Sequence, residues 1–338
     1  MRAALISLAL AAGLIPATVP ARPAAETTTV DIKEWRVPWE NARPRDPFAE
    51  SASSVWFVGQ RAGFLARLDV ETGDMTKVQL EAGSGPHNLV VDADGYVWYA
   101  GNRKSLIGRY DPQSGALEKI PMPDSAARDP HTLVFDGDGN IWFTVQGGNF
   151  VGRLNMESRK VDLVASKTAR SRPYGIRIAP DGIVWAALFG TNKLARIDPA
   201  TMALEEIALP RDGARPRRLD VTSDGRVWYV DYATGRLGAY DPKTDDVEEW
   251  LMPPGEDARP YGMAADSHDR LWMVATGPQP NLFIGFDPKT ESFVSSTPVP
   301  SGGGTVRHMH YHQPSGAVWF GTDANTIGRA IVEPDGAE

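Results

Sequence analysis

Few residues in this chain are equipped for chemistry, and they are unevenly spaced. The 338 residues include six histidines and no cysteine, which excludes thiolate nucleophiles, disulfides and cysteine-held zinc. His308, His310 and His312 stand two apart in VRHMHYHQ. On a strand that spacing puts all three side chains on one face, where imidazoles suit zinc, copper or iron. The alternative is that His308 alone reaches a ligand while His310 and His312 are buried and hydrogen-bonded; the metal is left unknown. His87, His131, Tyr174, Arg217 and Tyr261 each directly follow a proline, and HMHYHQPSGAVW aligns without gaps to HNLVVDADGYVW, which puts His308 in the same series. A position that recurs in place but varies in chemistry suits ligand contact; the alternative is packing. Arg307, Gln146 and Thr322 fall beside it. Asp231, fourteen residues after Arg217, either pairs with that arginine or faces the ligand. DADG and DGDGN look like the start of a calcium loop but lack its downstream glutamate, and they read as hairpin turns. His268, in the turn DSHDR, is expected at the surface. Residues 301–305 (SGGGT) lack the lysine of a phosphate loop, but their glycines allow backbone to approach a ligand.

Repeated elements must position these residues. Trp56, Trp98, Trp142, Trp185, Trp228, Trp272 and Trp319 recur 42 to 47 residues apart. A period in the low forties, filled with short strands, marks propeller blades. Each unit reads as four strands: an apolar run such as LVFD, a turn such as DGDG, a tryptophan strand such as NIWFTV, then FVGRLN and an alternating outer strand such as ALEKIPMP. The fold class expected is all-β, one seven-bladed β-propeller of four-stranded antiparallel blades over residues 26–338. The last unit lacks a fourth strand, while residues 30–38 (VDIKEWRVP) match the outer strand DDVEEWLMP. The N-terminal strand should therefore complete the last blade and close the ring. The inner strand of blade one is expected near residues 47–53. Arg67, Arg109, Arg153, Arg196 and Arg329 recur in the third strand and read as inter-blade anchors. The proline-following residues should ring one mouth of the channel. A second row there comes from Gln60, Arg103, Gln146, Phe189, Asp231, Tyr232 and Asp323.

Composition narrows the ligand. The net charge is −8, which argues against nucleic acid as a partner. The predicted mouth loops are nonetheless rich in arginine, including Arg172, Arg217 and Arg307, and should draw anionic or carbonyl-rich ligands. Residues 1–25 have a short basic start, an apolar stretch and small residues, the pattern of a signal peptide; an exported, periplasmic protein is expected. No later stretch is apolar enough to span a membrane, and a monomer is expected.

The repeated P-[HY]-x-[LI], DG-x-[IV]-W-[FY] and [IL]-G-R resemble the virginiamycin B lyase (streptogramin lyase) family of seven-bladed propellers. The resemblance covers nearly all of the mature chain. It implies a C–O lyase that opens a cyclic ester by elimination, with His308 as base and a magnesium ion (Mg2+) at the channel mouth. The family's glutamate and second histidine correspond here to Thr322 and Asn325. Asp323 is adjacent, but its side chain is expected on the opposite face. The alternative is a non-catalytic propeller that binds a small molecule, peptide or cell-wall component at the same mouth. A lactone hydrolase would need several metal-binding carboxylates around the channel, which the sequence does not show.

Overall fold

The structure, a computed structural model, describes residues 28–333; the expected signal peptide lies outside them. Seven four-stranded antiparallel sheets are arranged as blades. Blade one contains Pro44–Ala49, Ser54–Gly59, Phe64–Asp69 and Met75–Gln79. The inner strands of the next five blades are Pro86–Val91, Pro130–Phe135, Pro173–Ile178, Pro216–Val221 and Pro260–Ala265. Blade seven is Val306–His312, Ala317–Thr322 and Thr326–Ile331, completed by Asp31–Arg36. The closure is thus the one the sequence implies. Trp35 stacks on Trp319 at 5.5 Å, and the Asn325 side chain donates to the Val37 and Trp39 carbonyls at 3.0 Å. The inner strand of blade one begins at Pro44, earlier than the expected 47–53.

The DG turns have a double role. In DGDGN, Asp136 accepts the Asn140 amide at 2.8 Å and the Trp142 indole N–H at 2.9 Å. Asp92 and Asp266 do the same for Trp98 and Trp272. These carboxylates serve as turn caps and indole acceptors. Four of the five third-strand arginines, Arg67, Arg109, Arg153 and Arg329, contact groups of their own blades. Arg109 pairs with Glu118 at 3.0 Å and lies over Tyr96 of its own blade. Arg153 and Arg329 lie over their own Trp142 and Trp319.

One backbone device positions the site. In every blade the ladder between the first two strands shifts register near its start, after the first pair in six blades and after the second, Arg45 with Val58, in blade one. Such a bulge re-aims side chains. Here it turns the residue after the opening position, and the one following it, toward the channel. In blades four and six that following residue is glycine. A Cβ on Gly175 would sit 2.9 Å from Arg218 Cα, and one on Gly262 would sit 2.9 Å from Met309 Cγ.

Candidate functional site

The first row around the channel is Arg45, His87, His131, Tyr174, Arg217, Tyr261 and Arg307. All seven line a cavity of about 380 Å³ at one mouth, with Arg43, Gln60, Asp129, Gln146, Arg172, Phe189, Tyr232 and others. Six of the seven belong to the expected set. Arg45 was missed because the start of blade one was misplaced, although Pro44-Arg45 carries the same signal as Pro86-His87.

His308 is a correction. Elsewhere the inner-strand residue that pairs with the blade's tryptophan precedes it by eight positions, as Val90 precedes Trp98. In blade seven His310 pairs with Trp319, nine positions on. A 3-10 turn, Gln313–Ser315, with Gly316 at φ 55°, holds the extra residue. The gapless alignment is therefore off by one. Arg307 takes the first-row place and His308 drops to the second row, at 8% exposure. It is absent from the mouth lining and instead lines a separate cavity of about 340 Å³ with Leu133, Ala264 and His310. The three histidines do not converge: His310 stacks on Phe48 at 4.4 Å and His312 bonds Ser315 at 2.8 Å.

The second row closes the neck of the channel. Arg218, 2% exposed, donates to Thr132 Oγ1 at 2.8 Å and to the Arg307 carbonyl at 3.1 Å. It also lies 3.5 Å from Asp46, which Asn88 bonds at 3.0 Å and Arg45 approaches at 3.5 Å. Asp46 is the anion of this buried network, held between two guanidinium groups.

Two other expected ligand residues are structural. Asp231, fully buried, accepts the amides of Arg215 and Ala233 and the Thr234 hydroxyl; it neither pairs with Arg217 nor lines the mouth. Thr322 is buried and bonds Thr326 at 2.7 Å. At the positions of the family's glutamate and histidine, Thr322 thus bonds within blade seven and Asn325 holds the closing segment at Val37 and Trp39. Asp323, contrary to expectation, turns toward the mouth cations, bonding Arg307 Nη2 at 2.5 Å and facing Arg43 at 3.6 Å.

The electrostatics of the mouth are dominated by arginine. Arg43, Arg45, Arg172, Arg217 and Arg307 all line it. Among the described residues Arg217 has no carboxylate partner; its guanidinium lies 3.5 Å from the Tyr261 ring centroid and 4.4 Å from that of Tyr232. The Tyr174 and Tyr261 hydroxyls bond each other across the channel. Burial opposes ionisation of Tyr174, but the Arg217, Arg45 and Arg218 cations outweigh it and pull the phenol down to about 8. Burial and the neighbouring Tyr174 push Tyr261 up to about 12. Burial, helped by Arg45 and Arg218, holds His87, His131 and His308 well below the usual imidazole value, so all three are neutral.

A magnesium ion does not fit these residues. Hard cations need carboxylate oxygens. Asp129 is bonded by Asn102 and, with the Gln146 amide oriented to satisfy both neighbours, by Gln146 at 3.1 Å. Burial pushes its carboxyl up to about 7 despite Arg172 and Arg45. Asp323 is held by two arginines. Among the described residues, one acid–histidine group is close enough to share a metal: buried Asp266, exposed His268 and half-buried Glu333. Arg270 already pairs with both of its carboxylates, at 2.7 and 3.6 Å.

Similarity to known proteins bears on the fold. The streptogramin B lyase structure is 21% identical, with a TM-score of 0.79 over 89% of this chain and 97% of that one. Virginiamycin B lyase from Staphylococcus aureus superposes at 0.80 with 19% identity, over 89% and 99%. A catalytically inactive histidine-to-alanine form of that enzyme, solved with quinupristin, matches at 0.80 and 20%, over the same shares. YCF48 bound to D1 peptide matches at 0.72 and 13%, over 94% and 99%. No curated protein matches the chain. The model of the Virginiamycin B lyase family matches residues 21–197 and 159–337, and the chain belongs to that family.

Proposed function

We propose that the channel mouth binds a small anionic molecule, a carboxylate by preference. The carrying observation is the imbalance of the lining: five arginines line the mouth, its one carboxylate among the described residues, Asp129, is held by Asn102, and the adjacent Asp323 is held by Arg307 and Arg43. Arg217 Nε and Arg45 Nη2 are buried without a hydrogen-bond partner. A planar guanidinium fork is matched to a carboxylate, and the volume lies at the small end of ligand pockets. The protein is proposed to act after export. Metal-assisted elimination with His308 as base is not retained, because the mouth repels a divalent cation and His308 lies off its lining. Peptide capture, as in the YCF48 complex, has less support, since the mouth is compact and charged.

The test is calorimetric titration with galacturonate, inorganic phosphate and neutral galactose at low and high salt. Both anions should bind, galacturonate more tightly, with affinity falling as salt rises; galactose should not. Arg217→Gln should weaken galacturonate at least ~10-fold, the loss of one charge-assisted contact. Equal binding of galactose, or no binding of either anion, overturns the proposal. Magnesium-dependent opening of quinupristin, followed by mass spectrometry, would restore the metal-assisted reading.

A further inference from the structure

We propose that Tyr174 and Tyr261 form an acid–base pair at this mouth, which eliminates an oxygen leaving group from the β-carbon of the bound carboxylate without a metal. This inference rests on the anion-binding reading and names its substrate class.

Geometry sets up the pair. The two phenols come from blades four and six and reach across the channel to bond each other. Between them, from blade five, Arg217 lies 3.5 Å from the Tyr261 ring and 5.2 Å from that of Tyr174. Both tyrosines and the arginine line the cavity. Removing a proton α to a carboxylate is difficult because it adds charge to a group already charged. A guanidinium on the carboxylate relieves that charge and stabilises the enolate-like state, the task a divalent cation performs elsewhere. The environments also push the two phenols apart, Tyr174 toward ionisation and Tyr261 away from it. Two titratable groups separated in this way mark the base and the acid. The neighbouring imidazoles are weaker candidates. His131 is neutral, with Nδ1 bonded to Thr132 at 2.8 Å and its ring between His87 at 3.6 Å and Tyr174 at 4.0 Å.

The step balances without a co-reactant. The Tyr174 phenolate oxygen takes the α-proton, and the C–H electron pair becomes the new C=C bond. The β C–O bond breaks, and its pair leaves on the oxygen, which takes the proton of Tyr261. Proton transfer from Tyr174 to Tyr261 along their hydrogen bond restores both groups. A uronic acid linked through its 4-oxygen has this arrangement, with the glycosidic oxygen β to the carboxylate.

Digalacturonate is the probe, assayed with EDTA present by near-ultraviolet absorbance of the conjugated product. Turnover is expected, with kcat rising with pH on a limb below the usual phenol range, because the Arg217, Arg45 and Arg218 cations favour the Tyr174 phenolate. Tyr174→Phe should lower kcat at least ~100-fold, the scale of general base catalysis. Tyrosinate absorbance should show one phenol titrating below the usual phenol range in the wild type and missing from Tyr174→Phe, a readout that a purely structural role would not move. Turnover that survives Tyr174→Phe, that needs a divalent cation, or that has no rising limb in pH overturns the proposal. Wild-type protein that binds galacturonate but makes no product from digalacturonate overturns it too, leaving the anion-binding reading standing. Failure to bind galacturonate at all overturns both.

Discussion

Replacing Asp46 by asparagine tests the description of the channel neck. The change keeps the shape and removes one negative charge. Asp46 lies 3.5 Å from Arg45, 3.5 Å from Arg218 and 3.9 Å from His87 Nδ1, and all four residues are buried. At an effective dielectric of ~20, each arginine pair carries about 5 kcal/mol of Coulomb energy. Much of that offsets the cost of taking the charges out of water. Removing one partner of such a set leaves uncompensated cations and typically costs about 3–5 kcal/mol. The Asn88 bond at 3.0 Å does not compensate, because an amide carries no charge. Against a typical stability of about 5–15 kcal/mol, the loss should be plain in urea unfolding followed by tryptophan fluorescence. Thr132→Val is the control: it removes one hydrogen bond to Arg218 and should cost about 1 kcal/mol. Asp46→Asn within 1 kcal/mol of wild type, at unchanged denaturant sensitivity, would refute the view of Asp46 as the anion on which the two arginines depend.

Three further outcomes are expected. Asp136→Ala removes both the turn cap and the Trp142 indole acceptor and should lower stability by about 1–3 kcal/mol, read as a shift in urea midpoint; no shift would make the DG motif a turn signal alone. Trp35→Ala leaves a cavity against Trp319 at the closure and should cost about 3–5 kcal/mol, with limited proteolysis cutting first near residues 28–40; cleavage elsewhere would place the weak seam in another blade. Glu206 accepts from Ser166, Thr168 and Lys193; although burial opposes it, these bonds bring its carboxyl from the usual 4.5 down to about 2. Its contribution should be complete above pH 4.5 and vanish as pH falls toward 2, so the melting temperatures of wild type and Glu206→Gln should converge across that window; a gap independent of pH would refute the assignment.

The repeat was legible because its causes are local. An aspartate that caps a turn and holds an indole six residues on leaves a fixed spacing in the chain, and strand alternation follows from the pleat. The match between VDIKEWRVP and DDVEEWLMP was enough to read the ring closure. The site was legible only where blades are regular. His87, His131, Tyr174, Arg217 and Tyr261 could be named from the prolines before them, whereas in the two irregular blades Arg45 was missed and Arg307 was named only beside the row, with His308 given its place. In blade seven a single extra turn residue moved His308 from the mouth to the second row, a change that a gapless alignment cannot register.

By itself, then, the sequence determined the architecture: blade number, strand order and the place where the chain closes on itself, all set by short-range turn chemistry and period-two patterning. Tertiary structure alone decided which side chains meet. The Tyr174–Tyr261 bond, the placement of Asp46 between Arg45 and Arg218, and the turning of Asp323 toward Arg307 and Arg43 join residues from different blades or from a loop and a strand. Those contacts exist because a closed ring brings seven strand openings to one axis, where burial and charge act on neighbours far apart in the chain.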